Sequence, residues 1–588
     1  MKSMLGLDGS PSNRRIALIS ALAVGVSLVA ALVAQGLTHL IYFFTNLAFY
    51  GRISSGFVSP WQHRLGPLVV AVPVVGGLVV GLMARFGSKA IRGHGIPEAM
   101  EQVLTNKSRI PARITVLKPL SAAVCIGTGG PFGAEGPIIA TGGALGSLLG
   151  QYWKVSASER KALLAAGAAA GMSATFGSPV SAVLLAIELL LFEYRPSSLI
   201  PVALAAATAC GVRIASLGSE PVFPMPELSQ PTGEALALYI AIGAAVGVAS
   251  VLVTRAIYKV EDAFERLPIH WMWWPALGGL VVGAVGYLSP RTLGVGYANI
   301  EDIVAGRMAL GAIASLCVLK LVSWAVSLGS GTSGGTLAPL FTFGGGLGAG
   351  FGFMTQWLLP GAHVDVRIAA LVGMAAMFAG ASRALLASVV FAFETTRQPM
   401  GLLPLLGGCT AAFLVSLLLM RHTIMTEKIA RRGVRVLGEY SADFLSQLSV
   451  KTCEKAVVTL DASAALESVR TWLASGAGGT SHQGFPVLDE RGELAGVVTR
   501  RDLLEDRPGA AQVRDIVQRP AVFVTDEASL RDVADLMASE RIGRLPVLGR
   551  ERGLVGIVTR SDLIDAHVHR LDDHAPRQLR RLGSKPAH

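Results

Sequence analysis

Residues 127–139 read Gly-Thr-Gly-Gly-Pro-Phe-Gly-Ala-Glu-Gly-Pro-Ile-Ile, and an apolar run follows them to about residue 150. This stretch places a single carboxylate, Glu135, among glycines and prolines at the start of an apolar helix. Such a helix is too short to cross a bilayer core of about 30 Å, which needs about 20 helical residues. Broken helices are tolerated in a membrane only where their free backbone groups are buried in protein or line a cavity. The stretch therefore predicts a site near the membrane midplane.

The whole chain has the composition of a membrane protein that ends in a soluble part. It has 588 residues, is 52% hydrophobic and 15% charged, and has a mean hydropathy of +0.53. Of its 51 Lys/Arg and 40 Asp/Glu, residues 441–588 carry 20 and 21, so the basic surplus lies among the apolar runs of the first 440 residues. We interpret this surplus as positive charge on cytoplasmic loops and expect no nucleic-acid partner.

The membrane part repeats itself. Residues 164–189 resemble residues 370–395, with Glu188 matching Glu394, and the Gly-rich stretch that ends at Pro137 matches the one that ends at Pro339. We therefore predict two related halves, at about 16–216 and 235–432, within a membrane domain that spans residues 16–432. Duplicated membrane halves commonly place the substrate where their broken helices meet.

The soluble tail contains a second repeat. Residues 485–504 align without gaps on residues 545–564, and each copy reads as strand, turn, strand and helix. We predict an α/β module at 451–507 and another at 508–570, which we call the first and second modules. An N-terminal segment at 1–15, a linker at 433–450 and a basic tail at 571–588 complete the predicted organisation.

Glu135 is the side chain with the clearest chemical meaning. A charge at the depth of a helix centre costs about 2.5–3.5 kcal/mol on insertion scales, so an intramembrane carboxylate is usually functional or paired. At a helix N-terminus it would face backbone N–H groups, which also bind free anions. Carboxylate and anion would then compete for one place, and protonation of Glu135 would release that place to the anion. The alternative is a glutamate that only caps its own helix.

Residues 93–98 and 334–339 repeat the combination of glycine with a proline suited to a helix start. Several such starts that converge on one point would form an uncharged cradle for an anion. Together with residues 133–137, the duplicated Glu-bearing helices and the two tail modules, they resemble the CLC chloride channels and transporters with CBS domains. The resemblance implies an all-α polytopic membrane fold of two inverted repeats with broken helices, followed by a cytoplasmic α/β pair of CBS domains.

The same resemblance implies a homodimer in a lipid bilayer, with one chloride pore in each subunit and Glu135 as the gating glutamate. The anion-binding positions carried over from it are His94, Gly95, Ile96, Gly133, Ala134, Gly136, Thr336, Leu337 and Met425. Three of them depart from the family pattern, because His94 replaces a common serine, Leu337 a common phenylalanine and Met425 a common tyrosine. The backbone N–H groups of Gly95, Ile96, Thr336 and Leu337 stay available for coordination, whereas neither the serine and tyrosine hydroxyls of the family pattern nor its halide selectivity carries over. His94 is alternatively a helix cap.

A further departure bears on coupling to protons. Family members that exchange chloride for protons often carry a second glutamate directly after the one matching Glu188, and here that residue is Leu189. We therefore interpret the chain as a chloride channel with CBS regulation and keep proton-coupled antiport as the alternative. A carrier for fluoride, nitrate or sulfate is a further alternative, since helix N-termini do not choose among anions.

In the modules, Thr499 with Asp502 and Thr559 with Asp562 resemble the CBS nucleotide site. This resemblance implies an adenine nucleotide as the ligand, with the acid holding the ribose hydroxyls, although a purely structural pair is the alternative. No other cofactor is expected. Basic residues after the last apolar run indicate that the modules are cytoplasmic. These residues are Arg421, Lys428, Arg431 and Arg432. We expect the protein to lie in a bacterial-type inner or plasma membrane.

Two other classes of CBS-bearing membrane protein fit the sequence less well. An intramembrane metalloprotease would need a pattern such as His-Glu-x-x-His, and none of the 11 histidines is followed by Glu. A divalent-cation transporter would need several intramembrane carboxylates, whereas Glu135 stands alone in its Gly-rich segment. We therefore expect neither a metal site nor an enzymatic activity.

Overall fold

A computed structural model describes residues 13–434, 445, 448–453, 457–549 and 553–574. The predicted N-terminal segment lies outside this part except for residues 13–15. Most of the predicted linker and all but residues 571–574 of the predicted basic tail also lie outside it. Contacts between residues divide the chain into two compact units, one before and one after residue 440. We call them the membrane unit and the module unit.

The membrane unit is built from helices, many of which begin or end at or beside a Gly or Pro. They are α1 (Asn13–Tyr50), α2 (Ala71–Leu82), α3 (Ile96–Thr105), α4 (Ile114–Gly127), α5 (Glu135–Tyr152), α6 (Ala157–Phe176), α7 (Pro179–Ala186), α8 (Pro196–Leu217), α9 (Gly233–Glu265), α10 (Trp274–Leu288), α11 (Tyr297–Val304), α12 (Leu310–Gly329), α13 (Leu337–Leu358), α14 (Val366–Ser382), α15 (Leu385–Thr396), α16 (Leu402–Leu419) and α17 (Glu427–Arg431). In the described residues, eight helical segments are long and apolar enough to cross a membrane. Shorter apolar helices accompany them, which confirms the predicted polytopic fold with broken helices.

The two halves of this unit pack in the same way. In the first half α5 and α6 touch backbone to backbone, because a Cβ built on Gly142 would lie 2.1 Å from the carbonyl oxygen of Gly167. In the second half α13 and α14 do the same, and a Cβ on Gly348 would lie 2.2 Å from the carbonyl oxygen of Ala369. Small residues at matching places allow this close approach. The shared packing supports the predicted duplication.

The module unit contains two copies of one α/β arrangement, as predicted. The first has β1 (Leu460–Asp461), α18 (Leu466–Ala474), β2 (Gly484–Leu488), β3 (Leu494–Thr499) and α19 (Arg500–Leu504), and the second has β4 (Val524–Thr525), α20 (Leu530–Ser539), β5 (Arg544–Leu548), β6 (Leu554–Thr559) and α21 (Arg560–His574). In each copy the middle strand pairs parallel with the first and antiparallel with the third. Val487 faces Gly496, and Val547 faces Gly556 in the equivalent register.

Candidate functional site

Three helices of the membrane unit begin next to one another. Just before α3, the backbone N–H of Gly93 donates to the carbonyl oxygen of Thr332 at 2.9 Å. Just before α5 and α13, Gly133 and Gly335 exchange two backbone hydrogen bonds, of 3.2 and 2.9 Å. The structure therefore brings together the three Gly-rich segments that the sequence singled out. Their helices have 10, 18 and 22 residues, long enough for a positive N-terminal dipole.

Glycine is required where these segments meet. A Cβ on Gly95 would lie 2.3 Å from the carbonyl oxygen of Gly136, and a Cβ on Gly136 would lie 2.0 Å from that of His94. Gly95 also has a φ of 94°, which L side chains rarely adopt. The backbones of the first two segments are thus in direct contact, which no larger residue would permit.

The Glu135 side chain is fully buried at this meeting point. Its Oε1 accepts a hydrogen bond of 2.9 Å from the hydroxyl of Tyr297, and its Oε2 has no hydrogen-bond partner among the described residues. The carboxylate folds back over Gly133, since a Cβ there would lie 1.6 Å from Oε2. The N-cap residue of α5 is Ala134, so the alternative interpretation of Glu135 as the cap does not fit. The carboxylate instead lies against the free helix starts.

Two more buried polar atoms at the meeting point have no partner within the described residues: Nδ1 of His94 and Oγ1 of Thr336. Their residues are 4% and 1% exposed. Leaving a buried donor or acceptor unpaired costs about 1–3 kcal/mol, so such an atom calls for an explanation, such as a water, an ion or a ligand at the site. Each helix start thus contributes one of these atoms, the third being Oε2 of Glu135.

His94 does not cap α3, which corrects the alternative interpretation of this residue. The N-cap residue is Gly95, and its backbone N–H donates to Oε2 of Glu98 at 2.7 Å. Glu98 also forms an ion pair of 3.1 Å with Lys428. The imidazole is therefore free of the structural task that the sequence left open for it.

A cavity of about 470 Å³ reaches His94, and we call it the charged cavity. Its charged lining residues are Lys89, Arg92, Glu98, Glu101, Glu261, Glu265, Lys428 and Arg432. Of the other predicted positions, Ile96 and Leu337 are fully buried first residues of α3 and α13. Met425 is fully buried as well, and its neighbour Ile424 lines the cavity instead.

Tyr297 is the site residue that sequence reasoning missed. It begins α11, and its ring packs edge-on against Phe176 and Phe223, with centroids 5.8 and 6.1 Å apart. Residues 294–299 (GVGYAN) repeat residues 93–98 (GHGIPE) at an offset of 201, close to the offsets of the other matches. Aligning the halves over this segment as well would have pointed to Tyr297.

Glu188 and Glu394 each cap a helix of the opposite half. Glu188 accepts the backbone N–H of Ala387 at 3.0 Å, near the start of α15, and Glu394 accepts that of Ser181 at 2.8 Å, near the start of α7. Both carboxylates therefore join helices, in line with the interpretation from sequence. Leu189 is buried and offers no acid at the position after Glu188.

The module unit has a cavity of about 490 Å³, here called the module cavity. Thr499 and Asp502 line it with three arginines of the second module, Arg519, Arg541 and Arg544. Burial lowers the pKa of the Arg544 guanidinium, and the nearby Asp502 carboxylate offsets part of this effect. The cavity combines an acid with cations, which suits a sugar and a phosphate.

The second predicted nucleotide position, Thr559 with Asp562, does not line the module cavity. Asp562 is 2% exposed and accepts the backbone N–H of Thr559 at 2.7 Å, as in a helix cap. Asp502 likewise accepts the N–H of Thr499 at 2.8 Å but is accessible from the cavity. The two modules therefore differ at their matching Thr and Asp positions.

Comparisons with known proteins agree with this geometry. The family model "Voltage gated chloride channel" matches residues 74–417, and the CBS domain model matches 454–509 and 513–569. A chloride channel protein described as ClcB-like, from Ralstonia nicotianae, is 30% identical over 370 residues, which cover 62% of this chain and 85% of that protein. The H(+)/Cl(−) exchange transporter ClcA of Vibrio parahaemolyticus is 30% identical over 377 residues, which cover 62% of this chain and 80% of that protein.

A solved structure of a slow cyanobacterial Cl−/H+ antiporter shares the fold. It superposes with a TM-score of 0.63 at 22% identity and covers 72% of this chain and 99% of that one. These comparisons indicate transport rather than catalysis. Because the channel model spans more than half of the residues, the chain belongs to the CLC family of anion-transporting membrane proteins and carries two CBS domains.

Proposed function

We propose that this protein exchanges chloride for protons across a membrane, and that the Glu135 carboxylate holds the anion's place until it is protonated. The observation that carries the proposal is the set of three buried polar atoms, on His94, Glu135 and Thr336, that lie at three adjoining helix starts and have no hydrogen-bond partner in the described part of the chain. Helix N-termini attract anions through their positive partial charge. A carboxylate there competes with chloride, and protonation cancels the charge that holds it.

Exchange is favoured over passive conduction by the Vibrio parahaemolyticus relative, whose name is that of an H+/Cl− exchange transporter. A passive channel is the second candidate, because Leu189 is apolar where exchangers of the family often have an acid. Fluoride, nitrate and sulfate are candidate anions beside chloride, since a cradle of backbone N–H groups carries no strong preference among them.

A flux measurement on purified protein in liposomes separates the two candidates. Chloride and proton movements are recorded together under an imposed chloride gradient. We expect protons to move against their own gradient, driven by chloride. Chloride efflux without coupled proton movement would contradict exchange and support the channel. Competition by fluoride, nitrate and sulfate in the same assay tests the choice of anion.

Replacing Glu135 with Gln tests the role of the carboxylate. We expect Glu135→Gln to retain chloride flux, to lose proton coupling and to make the flux independent of pH, because the amide is uncharged at every pH. The matched control is Glu193→Gln, whose carboxylate lies 3.6 Å from Lys161 in an ion pair. The same pH profile in Glu135→Gln and the parent protein would contradict the proposed gate.

We also propose a homodimer in the membrane, with the CBS pair on the cytoplasmic side. The basic residues Arg421, Lys428, Arg431 and Arg432 near the end of the membrane unit support this orientation. Protease accessibility of the modules in sealed vesicles tests the orientation, and the mass of the detergent-solubilised protein tests the dimer. Modules protected in inside-out vesicles, or a monomeric mass, would contradict these placements.

An adenine nucleotide is the proposed ligand of the module cavity, where Asp502 would hold the ribose and Arg544 would contact phosphate. The test is calorimetry on the whole protein with ATP, ADP and AMP. We expect Asp502→Ala to abolish the heat of binding. Asp562→Ala, the matched change in the second module, should preserve it. No heat at millimolar nucleotide would make the CBS pair a structural element.

A further inference from the structure

Exchange requires a group that passes protons between Glu135 and the water at the far end of the membrane unit. The family position for such an acid holds Leu189, which is buried. Its neighbours do not replace it, because Glu188 caps α15 and Glu193 is held at 3.6 Å by Lys161 and at 4.0 Å by Arg195. A side chain that passes protons here would therefore come from another element.

The charged cavity offers four acids, and two of them already have cationic partners. Glu98 lies 3.1 Å from the ammonium of Lys428 and also caps α3. Glu101 forms an ion pair with Arg432. A carboxylate with a fixed cationic partner stays charged and takes up protons poorly. These two acids are therefore suited to structure rather than to proton transfer.

The other two acids, Glu261 and Glu265, lie one turn apart on α9 and make no hydrogen bond or ion pair within the described part of the chain. Glu265 is exposed, whereas Glu261 is half-buried. The charged groups that act on Glu261 are Lys428, Arg431 and Arg92, which are cations, and Glu265. Glu261 is thus the one cavity acid that is both partly withdrawn from water and uncommitted.

The cavity that Glu261 lines also reaches His94, at the start of α3. Tyr258, on the same helix, donates its hydroxyl to the carbonyl oxygen of Ile424 at 2.9 Å, and Ile424 lines the charged cavity together with Glu261 and His94. His94 precedes Gly95, the residue whose backbone contacts the segment that bears Glu135. The cavity of about 470 Å³ has room for water molecules of about 30 Å³ each.

We infer that Glu261 is a proton-transfer residue, which takes a proton from water in the charged cavity and passes it toward Glu135. The inference rests on the proposed exchange function. The step is a plain proton transfer: Glu261 takes a proton from hydronium on the water side of the charged cavity, releases it to a water molecule on the Glu135 side, and that water gives it to the Glu135 carboxylate, whose charge is cancelled. The return to the charged form of Glu261 is favoured by the nearby Lys428, Arg431 and Arg92.

The test compares Glu261→Gln with the matched control Glu265→Gln, one turn away on the same cavity wall, in the liposome assay for chloride and protons. We expect Glu261→Gln to lower proton flux by about tenfold or more, as removal of a positioned proton-transfer group does. Chloride flux should persist in this variant. Glu265→Gln should keep both fluxes.

Each outcome decides a different question. Proton flux in Glu261→Gln equal to that of the parent overturns the inference and leaves exchange standing. A parent protein without coupled proton flux overturns exchange and the inference together. Loss of both fluxes with intact thermal unfolding would make Glu261 part of the anion route and also overturns the inference. If Glu261→Gln does not fold, Glu261→Ala serves in its place, since truncation strands no described partner.

Discussion

The two halves of the membrane unit each fix a matching loop with a buried lysine, but the two loops carry different side chains into the site. In the first half the buried ammonium of Lys118 donates to the carbonyl oxygen of Gly93 at 2.8 Å. In the second half Lys320 donates to the carbonyl oxygen of Gly294, also at 2.8 Å. Both lysines are about 1% exposed, and each fixes the loop that precedes a helix start. The two halves have therefore kept the same lysine-to-carbonyl bonds that hold the loops of the site; we call this shared arrangement the frame.

The side chains carried by the two loops differ. The first loop presents His94 to the charged cavity, and the second leads into Tyr297, whose hydroxyl binds the Glu135 carboxylate. The first half thus contributes His94 to the charged cavity, and the second half holds the Glu135 carboxylate through Tyr297. A shared backbone frame with unequal side chains allows two sides of one pathway to have different chemistry.

The largest effect that we expect comes from removing the buried lysine of either half, and it is a loss of unfolding free energy. Lys118→Met leaves the buried carbonyl oxygens of Ile91 and Gly93 without this donor. Lys320→Met does the same to those of Thr292 and Gly294, and to the half-buried one of Val295 at 3.5 Å. An unpaired buried group costs about 1–3 kcal/mol, so each variant should lose about 2–6 kcal/mol of unfolding free energy. The measurement is thermal unfolding in detergent, and the two shifts should be alike.

The control for the lysine pair is Lys89→Met, an exposed lysine whose ammonium lies 5.4 Å from the ring centroid of Trp271. Its loss should change stability by about 0.5 kcal/mol or less, as most surface changes do. A large shift for one buried lysine and none for the other would show that the frame is not equivalent in the two halves.

The next effect in size concerns the loop of the second half alone. Tyr297→Phe removes the hydroxyl that binds Glu135 but keeps the ring that packs against Phe176 and Phe223. A hydrogen bond to a charged group contributes about 1.5–3 kcal/mol, so the carboxylate should leave the anion's place roughly ten- to a hundredfold more readily. Chloride flux at alkaline pH, where Glu135 is charged, should therefore rise.

Tyr239→Phe is the control for this change, because its hydroxyl accepts the backbone N–H of Asp365 at 2.8 Å instead. It should leave the pH profile of chloride flux unchanged. An unaltered profile in Tyr297→Phe would mean that the hydroxyl contact does not hold Glu135 in place. The second half would then only fix the position of its loop through Lys320, as the first half does through Lys118.

The sequence predicted the fold and the helix starts of the site because glycine, proline and repeats leave local signals. Residues 93–98, 127–139 and 334–339 each marked a broken helix, and all three meet in the structure. Tyr297 could not be recognised from its own segment, since an aromatic residue after a glycine is common and its partner lies 162 positions away. Long-range hydrogen bonds of this kind have no local pattern.

The sequence also could not predict which acids of the charged cavity form ion pairs and which do not. Glu98, Glu101 and Glu261 look alike as single acids, and only their partners distinguish them. The same holds for the modules, where Asp502 and Asp562 stand in identical motifs but only Asp502 lines the module cavity. Burial and pairing are tertiary properties, and a matched motif does not fix them.

The smallest effect that we expect tests the reciprocal caps of the two halves. Glu188→Gln and Glu394→Gln each keep one of the two oxygens that accept from the opposite helix start and remove the charge that favours the helix dipole. The charge contributes about 0.3–1 kcal/mol and the lost hydrogen bond about 0.5–1.5 kcal/mol, so both variants should unfold earlier and by similar amounts. Proton coupling should stay intact in both, because each carboxylate is occupied as a cap. If Glu188→Gln alone lost coupling while its stability matched that of Glu394→Gln, Glu188 would carry protons in addition to capping α15, and the two halves would differ at their caps as they do at their loops.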